Sequence, residues 1–166
     1  MFALKPISHD GIAGALAKAE RYRLLNEPEE AESICRDILE IEPANQQALI
    51  SLVLALTDQL ARDSRAFPSA LAVADRLESH YDRVYYAGIA WERRAKARHE
   101  VGGHNAHRYA YEWLAKALEL FETAQGLHAP GNEDAVLRWN ACVRYLDRHK
   151  ELAPAGDEAR ESVLQE

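Results

Sequence analysis

The chain has 166 residues, a length that suits one domain. Apolar residues make up 48% and charged residues 28%, which is the mix of a globular domain rather than of a disordered segment. The formal net charge of −7 argues against a general nucleic-acid binder, which needs a basic face to release counterions, and against docking on anionic membrane surfaces.

The segment Met1–Lys5 shows no basic stretch ahead of a long apolar run, so no secretory leader is read there. Proline and glycine then punctuate segments in which apolar residues recur at spacings of three and four, with no sustained alternation of the strand kind. Seven helices are predicted, over roughly 9–25, 28–41, 45–62, 68–79, 81–101, 104–125 and 132–150. Pro28 fits a first helical turn, where its missing N–H is not needed, and Pro43 ends the same helix. Asn45 is placed to cap the third helix, and Asn132 with Glu133 and Asp134 to open the seventh. The most apolar stretch, Ala48–Leu56, is too short to span a bilayer. The domain is read as 1–152, followed by a polar tail over 153–166 that holds Pro154 and Gly156.

Helices of this length joined by short turns read as stacked helical hairpins. The segment from Ala31 through Ile34, Cys35, Ile38, Leu39 and Ile41 to Pro43 resembles the second helix of a tetratricopeptide repeat, with Ala19 and Tyr22 in the small and aromatic places of the first helix. Looser units follow. Ala70, Ala74 and Leu77 face inward in one, and Gly88, Trp91, Ala110, Leu114, Ala117 and Leu118 mark another with ten extra residues between Gly88 and Ala110. Trp139, Asn140, Cys142 and Tyr145 resemble the start of a capping unit. The resemblance implies an all-α, right-handed solenoid of stacked helix-turn-helix hairpins that binds another protein, a peptide or an amphipathic helix, in its concave groove.

Mapping the family's groove positions implies Leu16, Glu20 and Arg23 in the first unit, and Ile50, Leu54 and Asp58 in the second. Tyr85, Ile89 and Arg93 follow in the third, and Trp139 and Val143 in the fourth. The Lys/Asn/Arg clamp that some members close on a partner's C-terminal carboxylate is not there: its places hold Leu16, Glu20, Ser51, Asp82 and Tyr86. The third helix makes a separate point. Ala48, Leu49, Ile50, Leu52, Val53, Leu54, Ala55 and Leu56 run round its circumference, and such a helix must be covered on all sides. A partner, the chain's own tail, a second copy closing a homodimer, or neighbouring helices of a tightly curled stack would cover it.

Candidates for chemistry are few. His99, Glu100, His104 and His107 form the most suggestive polar cluster; His99, His104 and His107 together would make a metal-dependent helical enzyme or metal sensor. The zinc-protease spacing fails, because Gly103 stands four residues after His99. Arg93, Arg94, Lys96, Arg98 and Arg108 form a basic stretch that can meet an acidic partner or a phosphate. Cys35 sits at a helix-packing position and makes a poor nucleophile; with Cys142 far away, no disulfide framework is read and a reducing cytoplasm is the natural compartment. No phosphate-cradling or nucleophile-elbow motif is present, so neither a catalytic residue nor a cofactor is assigned.

Overall fold

Capping chemistry sets most helix ends. In the computed structural model, which describes residues 2–153, the helices are α1 (Ile12–Leu24), α2 (Pro28–Ile41), α3 (Gln46–Asp58), α4 (Ala66–Ala74), α5 (His80–Val101), α6 (Ala106–Leu127) and α7 (Asp134–Arg148). Short 3₁₀ turns lie at His9–Gly11 and Lys150–Leu152. All but the first residue of the polar tail read at 153–166 lies outside the described residues. Pro28 is the first residue of α2. The Asn45 side chain accepts the Ala48 N–H at 2.9 Å, satisfying one of the donors that a helix start leaves free. Asn132 Oδ1 accepts the Asp134 N–H at 3.0 Å at the mouth of α7.

The fourth helix departs most from expectation. It begins at Ala66, two residues before Pro68, because the first turn of a helix needs no N–H from its residues. It stops at Ala74 rather than Ser79. The carbonyls of Leu77 and Glu78 accept instead from Arg83 Nη1 at 2.7 and 2.9 Å, and Ser79 Oγ accepts the Asp82 N–H at 3.2 Å as the cap of α5. α3 likewise ends at Asp58, four residues short of the predicted end, where the Gln59 carbonyl takes the Arg62 and Asp63 N–H groups into a turn.

Each helix packs on the next in sequence; α1 also touches α3, and α3 touches α5. The apolar interior falls into two clusters. One spans α1 to α4 and is built from aliphatic side chains such as Ile38, Leu49, Leu52 and Leu77. The other spans α5 to the 3₁₀ turn after α7 and includes Tyr85, Ile89, Leu114, Phe121 and Leu152. Small residues sit where helices approach closely. Ala19, Ala31 and Ala110 are completely buried. At Gly88 a Cβ would stand 2.7 Å from the Phe121 ring. The ten extra residues read between Gly88 and Ala110 do not form a loop. They lie mostly in longer helices: α5 and α6 have 22 residues each, against 13 and 14 in α1 and α2. The turn between them is held by Gly102, Gly103 and Asn105, all at positive φ, where glycine and asparagine are tolerated.

The apolar third helix is covered largely from within the chain. α1, α2, α4 and α5 all contact it. Among the described residues, no helix is long and apolar enough to cross a membrane.

Candidate functional site

Past its first residue, Gln46, what α3 leaves uncovered is a narrow strip: Gln47, Ile50, Ser51, Leu54 and Asp58. Their spacing of three and four places them on one helix face. α1 presents Leu16, Ala17, Glu20 and Arg23 opposite, at the same spacing. Between the two strips lies a shallow hollow of about 430 Å³, lined by these α1 residues together with Gln47, Ile50, Ser51 and Leu54. Leu16, Glu20, Arg23, Ile50 and Leu54 thus come together on one surface. Leu16, Ile50 and Leu54 are half-buried, so each keeps apolar surface facing solvent.

The end of the hollow is fixed by a charged row. Arg23 Nε donates to Asp58 Oδ2 at 2.8 Å, and Arg93 Nη1 donates to Asp58 Oδ1 at 2.5 Å. Arg93 Nη1 also reaches the Leu54 carbonyl at 3.1 Å and the Thr57 hydroxyl at 2.7 Å. One guanidinium therefore caps the C-terminal end of α3, where carbonyls are free and positive charge is favoured. Burial pulls the Arg93 guanidinium below its ordinary pKa, while Asp58 acts in the opposite sense. Arg23, Asp58 and Arg93 tie α1, α3 and α5 together. They are engaged with one another, which leaves Glu20 as an exposed charge on the wall.

Tyr85 and Ile89 are not on this surface, and their place among groove-lining residues is corrected. They are 8% and 2% exposed and belong to the interior between α5, α6 and α7. Tyr85 stacks on Tyr81 at 5.5 Å and lies 5.9 Å from Phe121. Tyr86, one residue on, is half-buried and sits two turns before Arg93 on the same face of α5. Of the three positions read on α5, Arg93 alone hydrogen-bonds to α3. Trp139 is half-buried against the second cluster, while Val143 is exposed, 37%; neither lines the hollow.

Where α5 faces α7, charge is buried that sequence reasoning missed. Glu92 is 1% exposed. It accepts from Lys96 Nζ at 2.5 Å, and Arg138 Nη1 of α7 lies 3.7 Å away. Glu92 Oε2 has no hydrogen-bond partner, so its charge is balanced by Arg138 at ion-pair range. In the sequence Glu92 reads as one more acid in a charged helix; only the fourfold spacing to Lys96 hints at a pair.

The basic stretch is dispersed by helical geometry. Arg93 points to α3 and Lys96 to Glu92, while Arg94 and Arg98 share another face. Arg94 lies between the Phe67 and Trp113 rings, 4.1 and 3.9 Å from their centroids. Arg62, Arg98, Tyr109 and Val101 complete a second hollow of about 390 Å³ on this side. Arg62 bonds Glu29 and Arg98 bonds the His104 carbonyl, so these cations are partly spoken for.

The histidines regroup as well. His104 is exposed in the turn after Gly103 and does not join His99. The His107 ring lies beside His99, with centroids 5.6 Å apart. Among the described residues, the donor atoms that converge are those of His99, His149 and Glu151, so the set His99, His104 and His107 is not brought together. Both cysteines are free and buried. Burial pushes the Cys35 thiol up to about 11 and the Cys142 thiol to about 12, so neither is a nucleophile near neutrality. Comparison with family models, with curated proteins and with solved structures gives no match to this chain.

Proposed function

We propose that the protein is an interaction module of the tetratricopeptide-like kind, an adaptor or accessory subunit that holds a segment of another protein against α1 and α3. In this reading α1/α2, α3/α4 and α5/α6 are successive hairpins of a right-handed stack, and α7 caps it. The contacts of α1 with α3 and of α3 with α5, and the buried small residues Ala19, Ala31, Gly88 and Ala110, support that arrangement. The observation that carries the function is the hollow between α1 and α3, whose walls are half-exposed apolar side chains held by a rigid charged row. Leu16, Ile50 and Leu54 offer burial of about 25 cal/mol per Å² to an apolar anchor before association costs. Glu20 would set register against a basic group beside that anchor. A hollow of this size takes one or two anchor side chains, which fits a transient complex with a short amphipathic helix.

The test is a capture experiment from the native cell with three baits: wild type, Leu16→Glu/Ile50→Glu, and Leu137→Glu, which changes an exposed apolar side chain of α7 outside the hollow. Circular dichroism checks that all three fold. A partner held by wild type and Leu137→Glu but lost by the double variant is the expected result, repeated with the purified pair. Equal capture by all three baits refutes the hollow as the binding surface. If light scattering instead finds a dimer that the double variant dissolves, the occupant is a second copy of this chain.

A further inference from the structure

We infer that the protein has a binding site for a divalent transition-metal ion, Zn²⁺ by its donor chemistry, formed by His99, His149 and Glu151. His99 stands in the last turns of α5, His149 follows the end of α7, and Glu151 lies in the 3₁₀ turn after it. Their donor atoms converge within 4.8 Å of one another. His99 Nε2 is 3.3 Å and His149 Nδ1 is 3.0 Å from the same carboxylate oxygen, Glu151 Oε1. A tetrahedral ion with ligands at about 2.0–2.1 Å sets neighbouring donor atoms roughly 3.3 Å apart; both nitrogen-to-carboxylate spacings match that, and the two imidazole nitrogens lie within 4.8 Å of each other. Hydrogen bonding alone engages one N–H of each ring with the carboxylate and joins nothing between the two imidazoles. A cation at the centre engages all three donors.

The surroundings add a second argument. A metal-bound histidine is oriented by a partner on its other ring nitrogen. His99 Nδ1 shares a 2.6 Å hydrogen bond with the Tyr145 hydroxyl, which points Nε2 at the cluster. With Nδ1–H donating to Tyr145, the Nε2 lone pair is free for an ion. The His99 and His149 rings meet edge-to-face with centroids 4.7 Å apart, a packing that holds both against rotation. His99 is 16% exposed and Glu151 47%, so the site has a protein floor and an open side for a water as fourth ligand. Two imidazoles and one carboxylate suit zinc better than the all-oxygen cations Mg²⁺ and Ca²⁺. An ion there joins α5 to the segment after α7 and fastens the C-terminal helix to the long hairpin. None of these residues lines the hollow between α1 and α3, so the inference stands apart from the proposed function.

The experiment uses the full chain, purified without a histidine tag, stripped with chelator and titrated with ZnCl₂ by calorimetry; Co²⁺ replaces zinc for visible spectroscopy. The expected result is one equivalent bound, a tetrahedral Co²⁺ spectrum, and a melting temperature that rises with zinc. His149→Asn and Glu151→Gln, which preserve shape, each weaken binding at least tenfold. Tyr145→Phe, a positioning change, weakens it by about tenfold while keeping the stoichiometry of one. His104→Ala leaves binding unchanged. Binding no tighter than millimolar, or binding indifferent to His149→Asn, overturns the site. Loss of binding with His104→Ala instead places the ion in the turn after Gly103 and overturns it equally.

Discussion

Two helix surfaces of this chain are treated in different ways. The one between α1 and α3 stays open, walled by Leu16, Ile50 and Leu54. On α5, Tyr85 and Ile89 are filled in by α6 and α7, and Glu92 is buried with Lys96 and Arg138. The difference follows from helix length and partner. α1 is 13 residues long and is covered on one side by α2 and α3, so its outer strip has nothing to bury against. α5 has 22 residues, packs on α3, α4 and α6, and meets Arg138 of α7 through Glu92. An open strip offers surface to a partner. A filled one joins α5, α6 and α7 with aromatic packing and a buried ion pair, at the cost of that surface.

The contrast is sharpest in Phe121, which is completely buried and holds α6 against both Gly88 and Tyr85. Phe121→Ala is expected to cost about 3–5 kcal/mol, measured by urea unfolding, through lost transfer energy and the cavity left behind. At low temperature, where the variant remains folded, the hollow between α1 and α3 keeps its shape and binding there is unchanged. A binding loss as large as the stability loss would show that the two halves do not act separately. Gly88→Ala probes the same contact from the other helix. Helix propensity favours alanine by about 1 kcal/mol, but its Cβ would lie 2.7 Å from Phe121 Cε1. The ring has to shift in a filled interior, so a net loss of about 1–3 kcal/mol is expected in the same unfolding assay. A gain in stability would mean that the ring has room to move.

That Gly88 lies at a close approach is legible in the sequence, because a glycine inside a helical pattern needs a reason and the small residues Ala19, Ala31 and Ala110 mark the comparable places. The helices are legible for a related reason: Pro28, Asn45 and Asn132 impose local chemistry that tertiary packing does not override. α4 was harder. After its end at Ala74, Arg83 of α5 reaches back to the Leu77 and Glu78 carbonyls, a side-chain contact that apolar periodicity does not signal. Tyr85 and Tyr86 show a different limit. Adjacent tyrosines carry no signal about which faces inward, and their placement waits on where α6 and α7 pack. The histidine group was half-legible. His99 stands out, but His149 and Glu151 are distant in sequence and are joined to it by the return of α7 alone.

The two cysteines give the smallest effect and the finest comparison, since one lies in each half. Cys35, beneath α1 and α3, is held up to about 11 by burial, with Arg23 acting against the shift. Cys142, beside Glu92, is held up to about 12, first by burial and then by the Glu92 charge. In both, the folded state keeps the proton longer than the unfolded chain, whose thiols titrate near 9.0. Above that pH the unfolded state binds fewer protons than the native one, so stability falls as pH rises. The contribution is therefore complete below pH 9 and is lost between 9 and the folded values. No effect of Cys35→Ser or Cys142→Ser on the pH slope is expected at pH 7, whereas each variant flattens the alkaline decline, Cys142→Ser over the wider range. Iodoacetamide labelling of native protein, followed against pH, separates the pair: Cys35 reacts at lower pH than Cys142. Reversed order would mean that the half around Cys142 opens more readily than the half around Cys35, since both thiols are fully buried and are labelled only when the surrounding helices part.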